Sequence, residues 1–438
     1  MTKDEIIPCL RFAPSPTGEL HIGSLATALI DYMAAKSMGG NVYLRIEDTD
    51  QKREVEGAAD RMIHNLNKCG IEFDGVPIIQ SQRKSVYQKY ADELVDKGLA
   101  YYDYTESELQ SECDGENTSS AVRIKLSGTN TEERIEWEDL VKGKMSLPKI
   151  NRDAVIIKSN GIPPYNFAHI IDDTSMGTTH VVRGEEWIPS TAEHFQIHEA
   201  LFGGPPPWQY AHIPVLCIIG EDGNKRKLSK RKDKEALVEN FLDEGYPIDA
   251  LIEYLLTVYN TDFELWRIAN PMTSWREFNF RFEKIGSNSP LFDWDKLNSI
   301  SYDIIANMPK EQINTEVKRY FDGDPGVKIT PKQLEDVYEL LAVDRGTERP
   351  RKDICKYSQI LTEFDYVFKK VAMTDQLREY KSLFIDGVVL KDLWYEKIKA
   401  WCDEKNIKMR DYTQQIRLAL TGREKTTDLF TISRLLLK

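Results

Sequence analysis

Two short stretches gather the side chains suited to handling phosphate. Residues 10–24 read Leu-Arg-Phe-Ala-Pro-Ser-Pro-Thr-Gly-Glu-Leu-His-Ile-Gly-Ser. His21 can donate a hydrogen bond to a phosphate, and Gly23, lacking a Cβ, lets a nucleoside approach the backbone. Residues 225–234 read Lys-Arg-Lys-Leu-Ser-Lys-Arg-Lys-Asp-Lys, a dense basic run in a chain of net charge −13. A charge run is usually a solvated face or a tail. This one follows an apolar segment, residues 213–219, and the turn Glu221-Asp222-Gly223-Asn224, in mid-chain where a tail is not expected. Its lysines are mobile point charges on flexible stems, suited to meeting charge as it develops on a leaving group.

The elements that must hold these groups follow from the pattern around them. Residues 9–12 are apolar enough for a strand, Pro14, Pro16 and Gly18 break it, and 20–38 has helical spacing with Gly39-Gly40 as its stop. A strand over 42–47 and a helix over 55–69 complete a βαβ unit of a doubly wound sheet. In such a sheet a strand leading through a tight loop into a helix start is where anions bind, on free N–H groups and the positive dipole end. Arg45, Glu47 and Asp48 place charges at the end of a strand that should be apolar throughout, which calls for a reason. For Arg45 and Asp48 the reading is a structural ion pair. Further helices are expected over 84–97, 234–244, 248–259, 273–280, 330–341, 354–371, 388–404 and 413–420. Strands are expected over 121–126, 145–147 and 154–158, and a strand ends at Arg183-Gly-Glu-Glu186-Trp187. Adjacent Asp172 and Asp173 point to different sides and read as caps or loop acceptors. His194 and His198 have metal-ligand spacing without an acidic partner, so a core or solvent face is expected.

At 438 residues the chain needs two to four domains. No apolar run is long enough to span a bilayer, and the first residues do not read as a signal peptide. Six scattered cysteines without a Cys-x-x-Cys pair suit free thiols in a reducing cytoplasm. The acidic balance argues mildly against nucleic acid but does not exclude it, because phosphate contacts are local.

His21-Ile-Gly-Ser24 and Lys227-Leu-Ser-Lys230-Arg231 resemble, in the same order, the two signature loops of class I aminoacyl-tRNA synthetases. Arg11-Phe-Ala-Pro-Ser-Pro-Thr-Gly18, Leu44-Arg-Ile-Glu-Asp-Thr-Asp50 and Val182-Arg-Gly-Glu-Glu-Trp187 narrow the resemblance to bacterial-type glutamyl-tRNA synthetases, along nearly the whole chain. The resemblance implies an α/β, Rossmann-like catalytic domain (1–100 and 178–235) with a small inserted α+β domain (101–177). It also implies a helical linking domain (236–305) and an all-helical anticodon-binding domain (306–438).

The implied reaction joins L-glutamate to the 3′ end of tRNA(Glu) through a glutamyl-adenylate, using ATP with Mg2+. The alternatives are a nondiscriminating enzyme that also charges tRNA(Gln), or a tRNA-modifying glutamyl transferase relative. His21 and Lys230 are the expected catalytic groups. ATP contacts are expected from His21, Gly23, Glu186, Trp187, Lys227, Ser229 and Lys230. Glutamate contacts are expected from Arg11, Ala13, Ser15, Glu47 (to the α-ammonium), Tyr165 (to a carboxylate) and Arg183. Two arginine forks suit a dicarboxylic amino acid. Arg349 and Arg417 are candidates for anticodon contacts. Many family members carry a Cys-x-Cys that starts a zinc site; Tyr102-Asp103-Tyr104 stands in that region here, with Cys113 alone nearby, so zinc is not expected. A cytoplasmic monomer, away from membranes, is the remaining expectation.

Overall fold

The computed structural model describes residues 6–50, 52–104, 120–130, 132–228, 233, 236–323, 327–383 and 390–437. Its contacts divide the chain into two units, residues 1–240 with 252–293 and residues 241–251 with 294–438.

In the first unit β1 (Cys9–Phe12), β2 (Asn41–Ile46) and β3 (Ile78–Ile79) form a parallel sheet in the order β1-β2-β3. The helix α1 (Ile22–Ser37) makes the first crossover. It stops where predicted: Gly39 takes a φ of +66°, and a Cβ on Gly40 would collide with the Pro8 carbonyl. Helix α2 (Ala58–Lys68) begins three residues later than its apolar pattern suggested, after Gly57 in a left-handed conformation. Helix α3 (Lys84–Asp96) matches its predicted span closely.

The chain then builds an antiparallel sheet from β4 (Ala100–Asp103), β5 (Ala121–Ile124) and β8 (Ala154–Ile157). Between β5 and β8 lies a hairpin of β6 (Arg134–Asp139) and β7 (Gly143–Pro148). The β6 strand was not anticipated; its alternation of Ile135 and Trp137 with charged neighbours is the period-2 pattern of a one-faced strand. Helix α4 (Tyr165–Ser175) follows, then β9 (His180–Gly184), α5 (Thr191–Phe202) and β10 (Gln209–Ile213). Strand β10 pairs in parallel with β9 and, at Tyr210–Asp139, with β6, giving the sheet order β7-β6-β10-β9.

The outer edge of β9 lies against β1. The Thr179 N–H donates to the Cys9 carbonyl at 2.8 Å, and Arg11 Nη1 donates to the Val182 carbonyl at 3.2 Å. Laid side by side, the strands run β3, β2, β1, β9, β10. Strand order therefore reverses between β1 and β9, the switch point where ligands bind in doubly wound sheets. A short antiparallel pair, β11 (Cys217–Ile219) and β12 (Lys225–Lys227), carries the chain into the basic run. Tyr87, Phe167, Ile170, Ile197 and Tyr210 belong to a shared buried core behind the site.

Asp172 and Asp173 correct an expectation. They sit inside α4, fully buried, not in caps or loops. Asp172 accepts from Gln80, Arg83 and Tyr87, while Asp173 accepts from Arg11 and Arg45. Arg45 also pairs with Glu47, as expected of it, whereas Asp48 departs from the expected ion pair and instead accepts from the backbone and hydroxyl of Ser81.

Helices α6 (Val238–Asp243) and α7 (Ile248–Tyr259) carry the division between the units. Residues 273–280 were expected to be helical, but only a 3-10 turn over Trp275–Glu277 forms. Phe278, Phe280 and Phe282 are all buried, a spacing of two that requires extended chain. Helix α8 (Phe263–Ala269) was missed.

Every element of the second unit among the described residues is helical. It holds α9 (Trp294–Asn307), α10 (Lys310–Gly323), α11 (Pro331–Leu341), α12 (Ile360–Glu363), α13 (Asp375–Ser382), α14 (Lys391–Glu404), α15 (Met409–Thr421) and α16 (Leu429–Leu436). Helix α11 starts from a capping box in which Thr330 and Gln333 satisfy each other's backbone N–H, with Pro331 at the first position. The single helix expected over 354–371 is broken into α12 and two 3-10 turns. Phe364, Tyr366 and Val367 are all buried, and one α-helical face cannot present all three. Val317, Leu340, Ile360, Tyr380, Ile398, Ile416 and Ile432 meet in one core.

Candidate active site

A cleft of about 750 Å3 lies in the first unit. Its floor is the switch point, with Arg11 and Phe12 from the end of β1 and Val182 to Gly184 from the end of β9. Of the residues expected at the site, Arg11, Ala13, Ser15, His21, Gly23, Glu47, Tyr165, Arg183, Glu186, Trp187 and Lys227 all line it. Ser229 and Lys230 lie outside the described residues, as does Cys113.

On one wall the chain leaves β1 through the Pro/Gly loop, where Gly18 takes a φ of +135° that other residues rarely adopt. His21 is the N-cap of α1, and its Nδ1 accepts from the Gly23 N–H at 3.2 Å. That bond occupies Nδ1 as an acceptor, so the proton of the neutral ring sits on Nε2 and makes it a donor. Lys227 and Leu228 from the basic run also line the cleft. Lys227 forms an ion pair with Glu186. Arg226 closes the base of the run on Asp233 through two bonds, Nη1 to Oδ2 at 2.7 Å and Nη2 to Oδ1 at 2.6 Å.

The two arginines at the floor are held differently. Arg11 turns its fork onto Asp173, with Nε–Oδ1 at 2.8 Å and Nη2–Oδ2 at 3.2 Å. Burial pushes Asp173 up, but Arg11 and Arg45 together hold its carboxyl well below the usual range. Arg183 instead donates to His212 Nε2, His194 Nδ1 and Thr191 Oγ1 at 2.9, 3.0 and 2.8 Å. The Tyr165 ring stacks on His169 at 5.3 Å and packs against Trp187 at 4.3 Å. Burial raises the Tyr165 phenol above its ordinary value, opposed first by the charge of Arg183. Glu47 gives Oε1 to Arg45 and is itself raised by burial against that partner.

His194 and His198 bind no common partner: His194 faces Arg183 and Asn166, and His198 faces the Gly204 carbonyl. Among the described residues no group of three or more His, Cys, Asp or Glu could hold a metal. Arg349 and Arg417 lie in the second unit, Arg349 exposed and Arg417 half-buried. That unit has its own cavity of about 210 Å3, lined by Arg351, Lys352, Arg423 and Lys425 among others, and neither predicted arginine lines it.

Sequence reasoning missed Lys158 and Arg53, which also line the cleft, and the pair His212 and Asp139 behind it. His212 carries only a weak mark in the sequence, and its Asp139 partner carries none. The mark is a polar residue in the buried parallel strand Gln209–Ile213, the same anomaly that singled out Arg45.

The family description "tRNA synthetases class I (E and Q), catalytic domain" matches residues 9–117 and 110–298, and "Anticodon binding domain" matches 361–438. The chain is 36% identical over 506 aligned positions to the glutamate–tRNA ligase of Clostridium perfringens strain 13, covering 98% of this chain and 92% of that one. The chain belongs to the glutamate–tRNA ligase family. A second member, the glutamate–tRNA ligase of Acetivibrio thermocellus, is 34% identical and covers 97% of this chain and 91% of its own length. The crystal structure of glutamate–tRNA synthetase from Elizabethkingia anophelis superposes with a TM-score of 0.78, covering 98% of this chain and 97% of that one. At 24% identity that likeness speaks to the fold. Within the family's framework the cleft occupies the catalytic match and the helical second unit contains the anticodon-binding match.

Proposed function

We propose that this chain activates L-glutamate with ATP and transfers the glutamyl group to the 3′ end of tRNA(Glu). A carboxylate oxygen of glutamate attacks the α-phosphorus of ATP, pyrophosphate leaves, and a mixed anhydride forms. A terminal ribose hydroxyl of the tRNA then attacks the carbonyl carbon, and AMP leaves. No protein nucleophile is needed; the work is positioning and stabilisation of developing charge.

The observation that carries this reading is the gathering of both phosphate-directed segments and Arg183 in one cleft. His21 Nε2 and the start of α1 hold the phosphates, with Gly23 beside them. Glu186, Trp187, Lys227 and Ser229 complete the nucleotide site. Lys230 meets the leaving pyrophosphate; its chain neighbour Leu228 lines the cleft, which supports that role. Glutamate is bound by Arg11, Ala13, Ser15, Glu47, Tyr165 and Arg183, with Arg183 and Tyr165 at the side-chain carboxylate and Glu47 accepting from the α-ammonium. Mg2+ would travel with ATP, and with no group of three protein ligands among the described residues, no step is assigned to it.

The four-part division proposed from the resemblance accompanies this reading: catalytic parts at 1–100 and 178–235, insertion at 101–177, linker at 236–305 and anticodon part at 306–438. Arg349 and Arg417 are proposed to contact the anticodon, with the enzyme acting as a cytoplasmic monomer. No helix among the described residues is long and apolar enough to cross a membrane. Charging purified tRNA(Glu) and tRNA(Gln) side by side tests the proposal. Glutamylation of tRNA(Glu) supports it, glutamylation of both makes the enzyme nondiscriminating, and glutamylation of neither refutes it.

A further inference from the structure

Arg183 is 5% exposed, and the three partners that hold its fork are uncharged. An imidazole accepts from arginine only through a nitrogen without a proton. His212 must therefore be neutral with its proton on Nδ1, and His194 neutral with its proton on Nε2. Each proton has an acceptor in place: Asp139 Oδ2 lies 2.5 Å from His212 Nδ1, and Asn166 Oδ1 lies 3.0 Å from His194 Nε2. Burial pushes both imidazoles below their ordinary range, which keeps them neutral. Arg11 and Arg183 thus solve the same burial problem in opposite ways. A carboxylate on the fork, as at Arg11, cancels the charge; neutral acceptors fix the fork and leave the charge available to a ligand.

We propose that Asp139 and His212 are positioning residues for recognition of the amino acid's side-chain carboxylate, locking the tautomer that holds Arg183 rigid without neutralising it. This rests on the reading that Arg183 receives that carboxylate. Asp139 is placed to dictate the tautomer. Its Oδ1 accepts the backbone N–H groups of Val141, Lys142 and His212 at 3.1, 3.0 and 3.1 Å, while Oδ2 accepts the ring and shares the His212 backbone N–H at 3.3 Å. In Asp139→Asn the amide oxygen must stay with those three donors, and the NH2 group then faces Nδ1. The ring proton moves to Nε2, and two donors meet at Arg183 Nε.

The test compares Asp139→Asn, His212→Gln, the double variant and Arg183→Ala in glutamate-dependent ATP–pyrophosphate exchange with tRNA present. Asp139→Asn is expected to raise KM for glutamate about 10-fold or more, the loss of one charged hydrogen bond, with KM for ATP within about twofold of wild type. A glutamine at 212 offers Oε1 to Arg183 without needing a locked tautomer. The double variant is therefore expected to recover most of the glutamate affinity lost in Asp139→Asn.

If the double variant is as poor as Asp139→Asn or worse, or if both KM values rise together, Asp139 is merely structural and the inference is overturned. If Arg183→Ala raises KM for glutamate while Asp139→Asn does not, this inference alone fails. If Arg183→Ala changes nothing, the reading of the site fails with it. Should Asp139→Asn not fold, His212→Gln against His212→Leu carries the same test: a lower glutamate KM in the glutamine variant supports the lock, and equal values overturn it.

Discussion

Leu237 forms an antiparallel bridge with His21, and the next residue, Val238, donates its N–H to the Leu20 carbonyl at 2.9 Å. The segment that follows the basic run is thereby tied to the N-cap of α1. On its other side the run leaves from Lys227 and Leu228, which line the cleft, and Arg226 clasps Asp233 across it. Leu228 before residue 230 lines the cleft, and Leu237 after it bridges to His21.

From this follows the behaviour of Lys230→Ala. Its role is confined to charge developing on the leaving pyrophosphate, so activation should fall by about 10²–10³-fold. KM for glutamate should hardly move, since Arg183 and Tyr165, not Lys230, are proposed to hold that substrate. Single-turnover adenylate formation measures the first quantity and substrate titration the second. Normal exchange kinetics in this variant would remove the role.

Arg183→Lys keeps the charge and loses the fork. One ammonium cannot serve His212, His194 and Thr191 together, so acceptors are left unpaired in a buried site. KM for glutamate should rise about 10–100-fold. Rejection of glutamine, which a site built around a charged partner can hold at about 10⁴-fold, should erode. Competition between the two amino acids in the exchange assay reads both effects; unchanged discrimination would contradict the account.

Asp31 gives a pH prediction of opposite sign to the usual carboxylate. It is wholly buried in α1, and neither oxygen has a hydrogen-bond partner among the described residues. Desolvation pushes its carboxyl well above the ordinary value; Arg11 opposes this and Asp173 adds to it. The folded state therefore holds a proton that the unfolded state releases near pH 4, and stability is lost as pH rises above that value. Asp31→Asn removes the penalty. Its unfolding midpoint should exceed that of wild type by about 2–4 °C at pH 8, with the gap closing towards pH 4. A lower midpoint at pH 8 would show the carboxylate to be paired.

The parts of this protein legible in its sequence are those where local chemistry and local structure agree. Pro14, Pro16 and Gly18 force a loop whatever surrounds them, and Arg183 at the end of an apolar strand announces a site. His212 did not announce itself, because a neutral imidazole between Ala211 and Ile213 reads as part of the strand. Its importance lies in Asp139, which only pairing between β6 and β10 brings beside it. Asp172 and Asp173 were misplaced for a similar reason. The partners that make these two buried carboxylates tolerable, Arg11 and Arg45 for Asp173 and Gln80, Arg83 and Tyr87 for Asp172, come from segments distant in the chain, and sequence spacing does not reveal that. The breaks near Phe364 and Trp275 also come from tertiary burial, which overrode helical propensity to seat aromatic rings.

The most direct test of the account is ATP–pyrophosphate exchange with tRNA present, comparing wild type, His21→Ala and Lys230→Ala with glutamate as the amino acid. The account predicts exchange that requires glutamate and falls by about 10²-fold or more in each variant. Wild-type exchange that glutamate does not stimulate, or two variants as active as wild type, would contradict it.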